Sequence, residues 1–218
     1  MLTSADPRVL KNLALAEANY AGLINRLGLQ PNEKDYFKQM AAEREQIRKQ
    51  ALAKLDDPTL TEAQRKGVIE RAKQELDQNN EQVRGFLNDD ADFQRFNAWE
   101  QTHLEREQME TGRSIFDNAG DPLSPEDEET IVDDIYRLRR NTNGIPDPYD
   151  ADTTVGVQFS QDYVARALAK FDADTEILLQ KYRGRYSPLR LKNIRTLRQQ
   201  NRVNLESRLW NLYRTKAQ

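Results

Sequence analysis

Apolar residues recur every three or four positions along most of this chain, the spacing that places them on one face of an α-helix. Between Pro7 and Leu27, for example, the apolar positions alternate in steps of three and four. No stretch shows the strict alternation of a half-buried β-strand. The sequence therefore predicts an all-α protein, an elongated arrangement of about seven helices that pack as antiparallel hairpins or as a bundle.

Prolines and capping residues indicate where the predicted helices begin and end. Asp56–Asp57–Pro58 ends the second helix, since the residue before a proline avoids helical geometry, and Ser124 followed by Pro125 starts the fifth. The predicted helices run from Pro7 to about Leu27, from near Pro31 to Leu55, from the stretch LTEAQ at 60–64 to Leu87, from about Asp89 to Phe116, and onward from LSPEDEE at 123–129, FSQDYV at 159–164 and YSPLRLKN at 186–193.

One stretch, Arg139–Gly156, has the proline, glycine, aspartate and threonine content of a linker. It suggests a helical hairpin region at 1–140, a linker at 141–156 and a basic helical hairpin at 157–218. A single continuous domain is the alternative.

Composition indicates a thin core. Apolar residues make up 37% of the 218 residues and charged residues 32%, whereas soluble domains usually have about 25% charged residues. Such a chain can bury stripes of apolar side chains, which fits helices packed on helices. Nine glycines and eight prolines are too few for a protein of strands and tight turns.

The sequence offers little for catalysis or metal binding. It has no cysteine and one histidine, His103, so a zinc, copper or nickel site would depend on carboxylates around a single imidazole. The stretch at 117–128 lacks the glycine of an EF-hand loop, and Asp147, Asp150 and Asp152 are expected to form a solvated turn rather than a weak cation site. No glycine-rich phosphate loop is present. We assign no catalytic, metal or cofactor-binding residue and expect no enzyme.

The chain has no apolar run long enough to span a membrane, and its first twelve residues do not resemble a signal peptide. We therefore expect either a mature exported protein or a cytoplasmic one.

Leu60-Thr61-Glu62-Ala63-Gln64 matches the pattern L-T-x-x-Q. It resembles the signature of small helical periplasmic proteins of the Spy/CpxP/ZraP-like family, and LSPED at 123–127 resembles a degenerate second copy. The resemblance implies an exported, thin helical dimer that acts as a chaperone, a stress regulator or a metal sensor, with Leu60, Thr61 and Gln64 as motif residues. His103 as the sole histidine argues against metal sensing. The other interpretation is ordinary helix capping.

Charge is segregated along the chain although the net charge is only −3. The segment 117–153 holds eleven acidic residues and three arginines, and 181–218 holds eleven basic residues and Glu206. This asymmetry indicates internal pairing, self-association or an anionic partner.

The last predicted helix carries three arginines inside its apolar stripe. Arg195, Arg198 and Arg202 lie within roughly 40° of Leu191, beside Ile194. An unpaired buried charge costs several kcal/mol, so these arginines need partners. Pairing with the acidic fifth helix, through Asp133 and Asp134, or across a dimer interface is favoured. An open groove with Tyr182 and Tyr186 comes second, and nucleic-acid phosphates third.

These features lead to a functional hypothesis: an extracytoplasmic helical binding protein, chaperone-like or stress-regulatory, that holds protein clients on an arginine and apolar surface. The candidate binding residues are Leu191, Ile194, Tyr182, Tyr186, Arg195, Arg198 and Arg202. An adaptor for one dedicated protein partner is the main alternative, and nonspecific nucleic-acid binding by the basic helix the second. Homo-oligomerisation is left open.

Overall fold

The computed structural model describes residues 7–55, 57, 59–87, 89–142, 144–150 and 159–216. These residues form eight α-helices and no β-strand, so the predicted all-α multi-helix class is confirmed. The helices are α1 (Pro7–Arg26), α2 (Pro31–Leu55), α3 (Glu62–Leu87), α4 (Asp90–Gln101), α5 (His103–Asn118), α6 (Pro125–Arg140), α7 (Gln161–Tyr182) and α8 (Pro188–Lys216).

The eighth helix arises because the predicted helix from Asp89 to Phe116 is broken at Thr102. The backbone N–H of Thr102 donates to the carbonyl of Trp99, 3.2 Å away, instead of continuing the α-helical ladder. Its hydroxyl donates to the same carbonyl at 3.0 Å. A threonine side chain that bonds to the preceding turn competes with the helix, and α4 ends here.

The chain divides into two compact units, 1–103 and 104–218. The boundary thus lies at the break between α4 and α5, whereas the sequence suggested a linker at 141–156. The described part of that linker is tied into the second unit, because Asp147 is buried and forms an ion pair with Arg139 of α6. Ile145 and Tyr149 pack against the apolar cluster of α7 and α8. Residues 151–156 lie outside the described part.

The first unit packs α1, α2, α3 and α4 around one apolar cluster. Aromatic side chains fill its centre, where Phe37 meets Tyr20 and Phe96 edge-on with ring centroids 6.1 Å apart. α1 packs along α2, α2 along α3, and α4 closes the cluster through Phe96 and Trp99. The Trp99 indole N–H donates to the carbonyl of Asn19 at 3.1 Å, which joins α4 to α1.

A polar network lies within this unit and centres on Glu100. Arg44 and Arg48 of α2 both pair with the Glu100 carboxylate, and the Tyr20 hydroxyl donates to it at 2.5 Å. Arg44, although buried, also donates to Asn79 at 3.0 Å and to Asn80 at 2.7 Å. The network therefore joins α1, α2, α3 and α4 and leaves no buried charge of this group without a partner.

The second unit packs α5 and α6 against the antiparallel pair α7 and α8. Gly112 of α5 lies so close to Leu197 of α8 that a Cβ at this position would stand 2.2 Å from a Leu197 methyl carbon. Glycine is needed here for close approach. Ser124 and Ser160 accept hydrogen bonds from the N–H groups of Asp127 and Tyr163 and so cap α6 and α7, at the predicted starts.

The segregated charges pair with each other inside the second unit. Lys181 binds Asp134 at 2.7 Å, and Arg190 binds Asp121 through two hydrogen bonds of 2.6 and 2.7 Å. Arg190 also reaches Asp127 at 3.2 Å. The acidic segment and the basic segment therefore neutralise one another where they meet, which is the internal pairing that their asymmetry indicated.

Substitution of Glu100 by glutamine should destabilise the first unit at neutral pH and remove part of its acid sensitivity. Burial alone would raise the pKa of Glu100, but Arg48 and Arg44 hold it down at about 2, against an ordinary value of 4.5. The stabilisation, on the order of 3 kcal/mol, is complete above pH 4.5 and is lost as the pH falls towards 2. Urea unfolding at several pH values measures this stabilisation, with Trp99 fluorescence as the signal in a protein that also carries Trp210→Phe.

Glu81→Gln on the exposed face of α3 is the matched control and should leave the profile unchanged. Equal acid sensitivity of the Glu100→Gln and Glu81→Gln proteins between pH 4.5 and 2 would contradict the assigned role of Glu100.

Candidate functional site

The end of the α2–α3 hairpin next to its connecting loop, which we call the hairpin tip (residues 47–55 and 60–76), is poorly covered. The buried residues of α2 all lie at or before Ile47, and those of α3 are Asn79 and Val83. The hairpin tip nevertheless carries apolar side chains, and Leu52 is 48% exposed. Apolar surface that the unit itself does not bury is a candidate interaction surface.

A groove of about 390 Å³ runs between α2 and α3 in this hairpin tip. Ile47 and Ala51 form its α2 wall, and Val68 and Ala72 form its α3 wall, with Leu60 at the loop end. Gly67 lines the groove with open space where a side chain would be. The small residues alanine and glycine keep the groove open, so it presents an apolar floor wide enough for side chains of another polypeptide.

The LTEAQ stretch lies at the loop end of this groove. The Thr61 N–H donates to the Gln64 side-chain oxygen at 2.8 Å, and the Gln64 N–H donates to the Thr61 hydroxyl at 3.2 Å. This reciprocal pair is a capping box that starts α3. Leu60 and Gln64 also line the groove. The motif therefore caps a helix and contributes to the groove; the family resemblance stays a prediction.

The charged residues that line the groove are mainly cationic. Lys54 and Arg71 border it together with one acid, Glu75. Within the described ranges no carboxylate lies within 4.0 Å of the Lys54 or Arg71 side chain. The groove thus combines apolar walls with two cations that make no ion pair with a described carboxylate.

The three arginines predicted on the last helix lie on α8, in the second unit, in unlike environments. Arg195 is exposed and binds Glu176 at 3.3 Å, and Arg202 binds Asp172 at 2.7 Å and Glu206 at 3.3 Å. Arg198 is buried against Phe171 and Thr175 of α7. The acids come from α7 and from α8 itself, not from Asp133 and Asp134 as expected, because α7 is the antiparallel neighbour of α8.

The apolar members of the predicted surface are mostly interior. Ile194 and Tyr182 are fully buried, and Leu191 and Tyr186 are half-buried against the same cluster. The hydroxyls of Tyr182 and Tyr186 donate to Asp134 at 2.8 Å and to Asp127 at 2.7 Å. The structure therefore brings these candidates together as core and ion-pair residues of the second unit, not as an open client surface.

Sequence reasoning missed the groove residues. Ile47, Val68 and Ala72 occupy ordinary apolar positions of the α2 and α3 stripes, and the sequence alone does not show which part of a stripe is covered. The sequence feature that could have indicated the groove is the set of small residues Ala51, Gly67 and Ala72, which lie in two helices expected to be neighbours.

The remaining predicted groups have protein partners. His103 lies 3.3 Å from Glu45 in the first unit. Asp147 is paired with Arg139, and Asp150 lies 3.3 Å from Arg140; Asp152 is outside the described residues. No helix in the described part of the chain combines the length and apolar character needed to cross a bilayer.

Comparison with known proteins places no constraint on these surfaces: no protein-family model, no curated protein and no solved structure matches the chain.

Replacing both Arg195 and Arg202 by glutamine should change the free energy of unfolding by less than about 1 kcal/mol, because their ion pairs are solvent-exposed. Arg190→Gln should cost about 2–3 kcal/mol, because it removes the two bonds to the Asp121 carboxylate from a side chain that is only 13% exposed. Thermal and urea unfolding of the wild-type protein, the double variant and Arg190→Gln measures these two losses of stability. A larger loss in the double variant than in Arg190→Gln would contradict the assignment.

Proposed function

We propose that this protein binds a segment of another protein in the groove between α2 and α3. The observation that carries the proposal is that the hairpin tip buries none of its own residues after Ile47 in α2 or before Asn79 in α3, yet presents an apolar groove. Two antiparallel helices with a groove between them accept a third helix by the packing that joins helices inside proteins.

The charge of the groove specifies the partner segment. Lys54 and Arg71 have no carboxylate partner among the described residues, whereas Lys38, Arg44 and Arg48 of α2 each bind a carboxylate. A segment with apolar residues on one face and carboxylates beside them would satisfy both features. The proposed occupant is therefore an acidic amphipathic helix of a partner protein.

A groove between two packed helices presents a fixed shape, which favours a dedicated partner, and hence an adaptor, over many unfolded clients. A chaperone-like activity uses the same kind of contact with less selectivity. The exported location and the stress-related role rest on the LTEAQ resemblance and remain proposals. On α8, Arg198 is buried and Arg195 and Arg202 are paired with carboxylates, so the proposal places the binding site in the α2–α3 groove instead of on that helix.

Binding can be tested with a fluorescent sixteen-residue peptide of leucine, alanine and glutamate whose leucines follow helical spacing, and with the same peptide carrying lysine for glutamate. The acidic peptide should bind, which an increase in its fluorescence anisotropy measures. The dissociation constant of the basic peptide should be about tenfold higher or more. Lys54→Gln together with Arg71→Gln should reduce this preference.

Gly67→Glu should abolish binding of the acidic peptide, because it places a carboxylate in open space inside the groove. Gly85→Glu is the matched control: Gly85 lies on the same helix, also has open space at its Cβ position, and is not part of the groove. Equal loss of binding in both variants, or no difference between the two peptides, would overturn the proposed site. Suppression of aggregation of several unrelated denatured proteins would favour the chaperone-like form of the proposal over the adaptor.

A further inference from the structure

Arg198 of α8 is a buried cation with few partners. Its side chain is 4% exposed, its Nε donates to the Thr175 hydroxyl at 3.2 Å, and its guanidinium lies 3.8 Å from the ring centroid of Phe171. Its two terminal amino groups donate to no atom in the described part of the chain, and no described carboxylate lies within 4.0 Å of them.

Arg44 in the first unit shows what a fully paired buried arginine looks like in this protein. It is equally buried, at 4% exposed, and its donors are used by Glu100, Asn79, Asn80 and the Leu76 carbonyl. Arg198 makes one hydrogen bond in the described structure. The difference leaves the forked end of Arg198, the part of the side chain best suited to a planar anion, with its capacity unused.

A small cavity adjoins the Arg198 side chain. Arg198 lines a pocket of about 60 Å³ between α5, α6, α7, α8 and the segment 145–149. The other charged groups of this pocket are engaged: Glu105 and Asp147 with Arg139, and Asp174 with Lys170. Among the pocket's charged groups that the structure describes, Arg198 alone lacks an opposite charge within 4.0 Å. The pocket is larger than one water molecule needs and far too small for a nucleotide.

We propose that this pocket binds the carboxylate group of a small monocarboxylic acid, with the two terminal amino groups of Arg198 donating to its two oxygens. A guanidinium fork matches a planar carboxylate with two parallel hydrogen bonds. Phe171 and Ile145 provide apolar wall for a short carbon chain. Glu105, Asp147 and Asp174 line the same pocket, and their negative charges oppose a phosphate dianion more strongly than a singly charged carboxylate.

The electrostatics of Arg198 agree with this assignment. Burial lowers the pKa of Arg198 to about 10, and the negative charges of Asp174 and Glu105 only partly oppose that effect. A buried charge that no described carboxylate contacts destabilises the fold. A bound carboxylate supplies the missing counter-ion, so ligand binding and stability of the second unit are linked.

The test is the melting temperature of the full-length protein at pH 7 in sodium acetate and in sodium chloride of equal ionic strength, with acetamide as the uncharged mimic of acetate. Acetate should raise the melting temperature by about 2–4 °C at saturation, and acetamide should not. Line broadening of ¹³C-labelled acetate in the presence of protein gives a direct measure of binding.

Arg198→Met keeps the volume and removes the charge, so it should fold with an unchanged or higher melting temperature and lose the response to acetate. Arg202→Gln, one helical turn away on the surface, should keep that response. An acetate response that survives in Arg198→Met, or that acetamide reproduces, would overturn the proposal. So would the absence of any response and of any line broadening with the wild-type protein.

Discussion

A guanidinium that is removed from water needs hydrogen-bond acceptors or a counter-ion. Both units of this protein bury arginine side chains, and they meet this requirement in different ways. In the first unit Arg44 and Arg48 converge on Glu100, and the carboxylate in turn accepts the Tyr20 hydroxyl. The pairing fixes α2 against α4 and α1. In the second unit Arg198 is just as deeply buried, but it lines a cavity and no described carboxylate contacts it. The same constraint thus yields structure in one unit and a binding site in the other.

The two candidate sites differ in the kind of group that the described part of the protein leaves without an internal partner. The α2–α3 groove is apolar surface that its own unit leaves uncovered, since the core of α2 ends at Ile47 and the loop half of the hairpin extends beyond it. The Arg198 pocket contains a cation that no carboxylate of the described residues contacts. An apolar groove of about 390 Å³ suits the side chains of a helix, whereas a pocket of about 60 Å³ that ends in a planar cation suits one small anion. Neither site requires the other.

The sequence determined the helical class because apolar spacing is a local signal that each helix carries by itself. It also placed the starts of α6 and α7, since Ser124 and Ser160 bond to backbone groups three residues away. It missed the break at Thr102, because the apolar pattern continues through it and the hydrogen bond to Trp99 is visible only in three dimensions. Charge segregation indicated internal pairing, self-association or an anionic partner. It did not show that Lys181 and Arg190 would meet the acidic segment while Arg195 and Arg202 paired mainly with α7.

Arg198 shows most clearly where sequence reasoning stops. Its position inside an apolar stripe was evident from the helical spacing, and the need for a partner followed from the energy of burial. Which residues surround it depends on how α5, α6 and α7 pack, and these contacts join positions up to about ninety residues apart in the sequence. Only the folded structure shows that Phe171 and Thr175 contact the guanidinium and that Arg198 lines a cavity.

The most direct test of this account is a crystal structure of the protein grown in sodium acetate, compared with one grown in sodium chloride. The account predicts a planar anion in the acetate form, with its two oxygens within hydrogen-bonding distance, roughly 2.7–2.9 Å, of the terminal nitrogens of Arg198. A carboxylate of the chain itself, such as Asp174, in direct contact with that fork in both crystals would contradict it, because Arg198 would then be an ordinary internal ion-pair residue.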